Sequence, residues 1–570
     1  MVEATQRPTK RRSLTRRPTI DTAEVQPLSD LVAQERLLGS SFRDGTLLPN
    51  LAKAHLVNFA KLNPLSGQKP LLGTRTWGSM CSGSEGAHFC MKVCQDAMND
   101  RRTTSGQGAV VFDQLFACES DPKKQPWVFH IINRDRQQAN LPLICIFCNA
   151  LEMGNDTAKC YTHGGCQCPV PDVDILILST SCKDLSCLSK HKSSSVAVLG
   201  LQHSPGGSAD TFRGGLLSYL DNHKANVIIY ENSDHLVDDA DNNDNASNLD
   251  IFQAELSSRH FEGQSYILNG KLFGLPAQRR RFFGAYVSST SNLIDFSSRT
   301  VFDQFRTVSA LLKLCRRRCP PIREVLLDHA HPILESELNR RLARPKVPIG
   351  AWVVEHQKEY AKYLKRWGAN PPCVATENSK WLPTLTLSQK SILVLHQYRL
   401  LAADTKLVKK RAKPVVTGSA QAGRRMPRLM VDLNPSIGRF THSSHDDSNN
   451  IEIAPCILPQ QLLWLHLYGD GHEPRPMIGI ESMLLQGWPV LQVALEGWMD
   501  DRLFQGLAGN GVPLPILVAL LSSVFDGISW VGPACERPGN DEDDSIQSAI
   551  SLLHGVQSST RNCQHGPQDP

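Results

Sequence analysis

No stretch of this 570-residue chain holds the roughly 20 consecutive apolar residues that a membrane span requires. The opening residues, Met-Val-Glu-Ala-Thr-Gln-Arg-Pro, lack an apolar signal region, so no secretory leader is expected. Charge of one sign is missing too. Lys and Arg number 61 against 56 Asp and Glu, a net +5 that permits a nucleic-acid partner without arguing for one. Cysteine, at 17 residues, is too thin for a disulfide scaffold, and reduced thiols in a cytosolic or nuclear compartment are expected. No internal repeat is visible. What remains is an ordinary globular composition, 41% apolar and 21% charged.

The texture changes along the chain. Residues 1–66 read as a basic, partly disordered extension with helical apolar spacing at Leu28 to Leu38 and Leu51 to Leu62. Its stretch Lys10-Arg11-Arg12-Ser13-Leu14-Thr15-Arg16-Arg17 suits nuclear import or a phosphate-touching arm, and equally a solvated tail. Residues 67–299 alternate strands with helices. Strands are expected at Thr74–Met80, Ala109–Glu119, Leu143–Cys148, Asp174–Ser179, Asn226–Glu231 and Phe282–Val287, and helices at Ala87–Asn99 and Gly214–His223. This pattern implies an α/β fold with a doubly wound, mostly parallel, Rossmann-like sheet. Residues 300–474 are rich in Arg, Lys and Pro, with a strongly basic segment at 403–428, and read as a separate α/β or irregular domain. Residues 475–530 return to apolar helix, and 531–570 form a polar tail.

Several polar signals fall where such sheets place their chemistry. The short apolar run Val173-Asp174-Ile175-Leu176-Ile177-Leu178 reads as a buried parallel strand, and Cys182 lies in the loop that follows it. A lone cysteine there is most often inert. Earlier, Met80, Cys81, Ser82, Gly83, Ser84, Glu85 and Gly86 form a small-residue turn ahead of a helix, which suits either a cofactor or a tight connection. Glu119 closes the next strand, where an acid can accept ribose hydroxyls. Ile228-Ile229-Tyr230-Glu231-Asn232 ends a further buried strand on a polar pair, a costly placement unless the carboxylate is used. Arg279, Arg280 and Arg281 lead into the last strand, where they can hold an anion or a carbonyl.

Taken in order, these segments resemble the DNA (cytosine-5) methyltransferase family. The glycine-rich turn resembles its first motif and Glu119 its ribose-binding acid. Ser181-Cys182 resembles its Pro-Cys loop, Glu231-Asn232 its Glu-Asn-Val, and Arg279 and Arg281 the arginines of its Gln-x-Arg-x-Arg motif. Leu485-Gln486-Gly487-Trp488-Pro489 resembles Leu-Gln-Gly-Phe-Pro, and Gly509-Asn510-Gly511-Val512 resembles Gly-Asn-Ser-Val. The resemblance covers about residues 73–290 and 475–525 and places a target-recognition domain between them.

The resemblance implies S-adenosylmethionine as cofactor, held by residues 80–86, Glu119, Asn149, Ser181, Asn510 and Gly511. It implies transfer of a methyl group to carbon 5 of a cytosine flipped out of duplex DNA, in the nucleus. Cys182 would be the nucleophile, its thiolate favoured by Arg279 and Arg281. Glu231 would meet the N3 edge, Arg281 the O2 carbonyl, and Asn232 would support the loop. The rival readings are the same chemistry on transfer RNA, and a catalytically silent homologue that binds DNA or a partner protein.

The chain departs from the family pattern at Ser181, which replaces the proline, at Lys183, which replaces the glutamine after the cysteine, and at Ala277 in the arginine motif. Asn149 stands where the family carries an acid. Ser181 is expected to loosen the loop, and Lys183 to lower the Cys182 pKa or contact phosphate. Outside the resemblance lies a cluster of Cys145, Cys148, Cys160, His163, Cys166 and Cys168. Its spacing suits zinc, with Cys148, Cys160, Cys166 and Cys168 as the candidate set. Cys145 and Cys148 fall beside a core strand, so buried thiols with no metal are the expectation adopted.

Overall fold

The structure, a computed structural model, describes residues 19–20, 40–62, 73–104, 108–185, 198–200, 207–238, 246–344, 351–366, 379–396, 429–433, 453–466, 473–493 and 500–531. The basic stretch at 10–17, the Leu28 to Leu38 helix, the basic segment at 403–428 and the tail after 531 lie outside these residues.

The organising element is one sheet. Its strands are β1 (Gly73–Met80), β2 (Val110–Cys118), β3 (Cys145–Phe147), β6 (Val173–Ser179), β7 (Ala225–Ser233), β8 (Phe261–Asn269) and β9 (Arg280–Ser288). A small antiparallel hairpin, β4 (Thr157–Lys159) and β5 (Gln167–Pro169), sits between β3 and β6 in the chain. The order across the sheet is β8-β9-β7-β6-β1-β2-β3, with Thr19–Ile20 paired at the β8 edge. Strands β3, β2, β1, β6 and β7 are mutually parallel, and β9 runs antiparallel between β7 and β8. The chain reverses its direction of travel across the sheet between β1 and β6. Open α/β sheets bind their ligands at that switch point, beyond the carboxyl ends of the strands.

Both faces are covered, which is why β6 reads as the apolar run Ile175-Leu176-Ile177-Leu178. Ile175 and Ile177 point into one core with helices α1 (Leu47–Leu62), α2 (Gly86–Thr104), α5 (Val301–Leu314) and α9 (Leu514–Gly527). Leu176 and Leu178 point into the other, against the helical segment 208–222 and α4 (Asn248–Ser258). Helix α3 (Gln125–Gln138) lies over β2 and β3, where Val128 and Ile132 meet Ala117 and Ile146. Helix α9 is apolar almost all round because it is buried almost all round.

Two elements extend beyond the expected pattern. The first half of strand β8 carries few apolar residues, and Gly263 lies so close to β9 that an added Cβ would collide with the Ala285 carbonyl oxygen. Helix α5 packs on α9, with Gly527 against Val308, so the helical layer of the sheet continues past residue 300. Further along, α6 (Pro332–Ala343) is followed by a three-stranded antiparallel sheet, β10 (Leu429–Asp432), β11 (Leu463–His466) and β12 (Arg475–Pro476). Short helices α7 (Gly479–Leu484) and α8 (Asp501–Asn510) then lead back to α9. Among the described residues no single helix is long and apolar enough to cross a membrane.

Candidate functional site

The carboxyl ends of β1, β6 and β7 open on a cleft of about 410 Å³, its solvent-filled mouth included. Residues 79–82 and 84–87 line one side, Ile177 to Ser179, Ile229 and Glu231 another, and Val512 and Leu517 close it.

The turn after β1 is wound tightly. Cys81, Gly83 and Glu85 all have positive φ, at 54°, 59° and 61°. Only glycine adopts that region without cost, so the two side-chain-bearing residues carry strain that neighbouring bonds must hold. Glu85 is held by Ser79 Oγ, which donates to Oε2 at 2.8 Å, and by Gln114 Nε2, which donates to Oε1 at 2.9 Å. Burial pushes the Glu85 carboxyl up to about 7, against the pull of its hydrogen bonds from Ser82, Ser79 and Gln114. Its carboxylate therefore serves the inside of the turn. Glu119, 6% exposed, accepts from the Gly83 amide at 2.7 Å and from its neighbour the Asp121 amide at 2.8 Å. Burial raises its pKa, while Lys124 and those two amides draw it back down. The acid is thereby aimed along the rim of the turn.

The last motif closes the cleft from above. Gly511 follows α8, and an added Cβ would stand 2.9 Å from Ser84 Oγ and 2.7 Å from the Leu507 carbonyl oxygen. Only glycine lets this turn approach the first one so closely. Asn510 beside it is exposed. Asn149, just past β3, caps the short helix Ala150–Glu152. Its Oδ1 accepts from the Leu151 amide at 3.0 Å, and its Nδ2 donates to Glu152 Oε1 at 3.3 Å.

Cys182, Glu231 and Arg281 converge on the other side. Glu231 is 9% exposed on β7, paired across to Ser179 at the end of β6 and to Phe283 on β9. Arg281 stands opposite Ser233, diagonal to Glu231 on the same face, with its Nε 3.4 Å from Glu231 Oε1. Burial raises the Glu231 pKa, and Arg281 and Arg279 only partly offset it. Cys182 is exposed as a residue. Its thiol is nonetheless raised above the usual range, first by loss of water around it and then by the Glu231 charge. Arg281 and Arg279 act to lower it and do not prevail, contrary to the expectation of a thiolate favoured in the free chain.

Arg279 has a different task from Arg281. At 1% exposed, its guanidinium donates to the Ile457 carbonyl at 2.8 Å, to the Gly509 carbonyl at 3.1 Å, and to the Gly511 carbonyl. It joins the arginine motif to the last motif and to the segment before β11, rather than reaching Cys182. Ala277, where the family carries glutamine, is fully buried and bridges to Ala454.

The loop bearing Cys182 is fastened on both sides. Asn232 Nδ2 lies 3.1 Å from the Thr180 carbonyl oxygen, 3.0 Å from Thr180 Oγ1 and 3.0 Å from the Tyr230 hydroxyl, and its Oδ1 accepts from the Ser233 amide at 2.7 Å. The Ser181 amide donates to Thr211 Oγ1 at 2.9 Å, a bond proline could not make. The Ser208 amide donates to Asp184 Oδ2 at 2.8 Å. Hydrogen bonds to the helical segment 208–222 thus supply the stiffness that proline would have given. Thr180, Thr211 and Ser208 carry no sequence signal of this role, because their partners lie 24 to 52 residues away.

A sheet of this order, with a strained turn after its first strand, an acid at the end of its second and polar pairs beyond β6, β7 and β9, defines a Rossmann-like methyltransferase. The chain belongs to the C-5 cytosine-specific DNA methylase family, whose family model matches residues 152–526. A DNA (cytosine-5-)-methyltransferase DMT5 of Cryptococcus neoformans var. grubii is 24% identical over 459 residues, 80% of this chain and 17% of the relative. The chain thus spans about a sixth of the length of that curated relative. Solved structures similar to it include a DNMT2 of Spodoptera frugiperda, with a TM-score of 0.34 and 11% identity over 79% of this chain and 99% of that one. The Dnmt2 methyltransferase of S. pombe gives a TM-score of 0.35 and 12% identity over 79% and 98%.

Proposed function

We propose that the chain transfers a methyl group from S-adenosylmethionine to carbon 5 of cytosine in DNA. The observation that carries this reading is that Glu231 lines the cleft walled by the turn after β1, with the Arg281 guanidinium 3.4 Å from it and Cys182 close enough to feel both charges. Carbon 5 of cytosine is barely nucleophilic. Addition of a thiolate at carbon 6 turns the ring into an enamine, which is covalent catalysis by an activated cysteine. Cys182 is the group placed for that addition. Glu231, whose pKa burial raises, is placed to hold a proton at the N3 edge and draw electrons from carbon 6. Arg281 beside it is placed to bind the O2 carbonyl. Burial, and after it the Glu231 charge, hold the free thiol above its usual range, so Arg281 and Arg279 are the groups that favour its thiolate. Asn232 and Arg279 are positioning residues, the first for the Cys182 loop and the second for the last motif.

The cofactor end of the cleft fits a nucleoside that carries a positive charge. Glu119 is held with its carboxylate along the turn, and the approach of Gly511 to Ser84 leaves a narrow cradle that a side chain would fill. Residues 80–86, Glu119, Ser181, Asn510 and Gly511 would hold S-adenosylmethionine, with Asn149 at the adenine side. The bound cofactor supplies an electrophilic sulfonium methyl. The target base must leave the duplex to reach this depth. Duplex DNA is the proposed partner and the nucleus the proposed compartment.

Tritiated methyl transfer to DNA and to RNA tests the reading, with Cys182→Ala alongside. Incorporation into DNA that the substitution abolishes is the expected result. Incorporation into RNA alone, or equal incorporation by the variant, would overturn it.

A further inference from the structure

We infer that the chain holds a structural zinc ion, bound by Cys145, Cys160, His163 and Cys168, at the edge of the sheet away from the catalytic cysteine. The four ligand atoms come from two segments and lie within 4.8 Å of one another. Cys145 begins the edge strand β3. Cys160 follows β4, His163 sits in the turn, and Cys168 lies in β5. Cys148 and Cys166 belong to the same sequence cluster but not to this group, so the quartet differs from the set that spacing favours. The reason is the pleat. Cys145 lies on β3 and Cys148 in the bend just past its end, three residues on, so the two sulfurs do not share the side facing the hairpin.

Three distances carry the inference. Sulfurs of Cys145, Cys160 and Cys168 lie 3.7, 3.3 and 3.3 Å from one atom, His163 Nδ1. Tetrahedral zinc holds sulfur at about 2.3 Å and nitrogen at about 2.0–2.1 Å, which puts a bound S and N roughly 3.6 Å apart. Hydrogen bonding gives no comparable explanation. A ring nitrogen either donates one proton or accepts one, so it can satisfy a single sulfur and not three. One cation at the centre satisfies all four atoms together.

The hairpin also needs such a fastening. Its two strands have three residues each, too short to be stable as an isolated pair. The turn between them depends on Gly164 and Gly165, both at positive φ. Backbone bonds tie it to β3: the Tyr161 amide donates to the Ile146 carbonyl at 2.7 Å and the Cys148 amide to the Lys159 carbonyl at 2.9 Å. The Lys159 amide donates to Glu152 Oε2 at 3.0 Å, and Glu152 in turn accepts from Asn149. A metal here would fix the wall that carries Asn149. Its role is structural, since all four tetrahedral positions are filled by side chains.

Metal content of the full chain, purified without chelator, tests this. Near-stoichiometric zinc is expected, lost in Cys168→Ser and kept in Cys166→Ser and Cys148→Ser. Replacement by cobalt should give the ligand-field and thiolate charge-transfer bands of a tetrahedral sulfur-rich site, a readout that needs no variant to fold. Less than roughly 0.3 zinc per wild-type chain would overturn the inference, since a structural site fills nearly completely. So would zinc retained by Cys168→Ser, or a disulfide between any two of the three cysteines in the protein as purified. None of these outcomes bears on whether Cys182 is the nucleophile.

Discussion

Replacing Asn232 with alanine separates loop support from chemistry. Its amide group makes four contacts, three of them to Thr180 and Tyr230 and one from the Ser233 amide. The Thr180 and Tyr230 hydroxyls stand 2.6 Å apart and would keep each other. The Thr180 carbonyl and the Ser233 amide would lose these partners. A buried polar group left unpaired costs about 1–3 kcal/mol. Thr180, Asn232 and Ser233 are all buried, and even the lower part of the two summed costs is about 2–3 kcal/mol. If that energy holds the loop in its reactive geometry, single-turnover methyl transfer should fall by roughly 30- to 140-fold at about 1.4 kcal/mol per tenfold. Affinity for DNA, read by filter binding, should change by less than about threefold. A variant that is destabilised but transfers methyl at the wild-type rate would refute the claim that Asn232 positions Cys182.

Three further outcomes follow from the same geometry. Burial, and after it the Glu231 charge, lift the Cys182 thiol, so alkylation of Cys182 in the free chain should titrate above the usual cysteine range near 8.5. Glu231→Gln removes that charge and should move the midpoint to lower pH, as followed by mass spectrometry of the Cys182 peptide; an unchanged or higher midpoint would sink the assignment. Glu119→Ala should weaken S-adenosylmethionine binding by about 10- to 100-fold in calorimetry, the loss of one charge-assisted pair, with little effect on DNA binding. Gly511→Ala places a Cβ 2.9 Å from Ser84 Oγ and should weaken cofactor binding and lower Tm, whereas unaltered binding would mean the two turns do not form one cradle.

Much of the fold was legible because buried parallel strands write themselves as apolar runs. The expected strand Asp174–Ser179 is observed as Val173–Ser179, and Asn226–Glu231 as Ala225–Ser233. Strand β8 was not legible, because Phe261-Glu262-Gly263-Gln264-Ser265 interrupts its apolar content with polar residues and a glycine at close backbone approach. Helix α5 was hidden by its place beyond the last strand, although its faces pack into the sheet's own core. At the site, residue identities pointed to Cys182, Glu231 and the arginines, but not to their division of labour. Arg279 and Arg281 are two residues apart, yet one clamps three carbonyls and the other meets Glu231. The thiol pKa was misread because the sequence displays two cations and cannot display the desolvation and the carboxylate that outweigh them. Ser181 was read as a loosening change, whereas its amide gains a partner in Thr211.

Capture of a covalent complex on duplex DNA carrying 5-fluorocytosine addresses the chemistry most directly. With S-adenosylmethionine present, the wild-type chain should form an adduct that survives denaturation and maps to Cys182, and Cys182→Ala should form none. An adduct of equal yield from the alanine variant, or one that maps to another cysteine, would contradict the assignment of Cys182 as nucleophile.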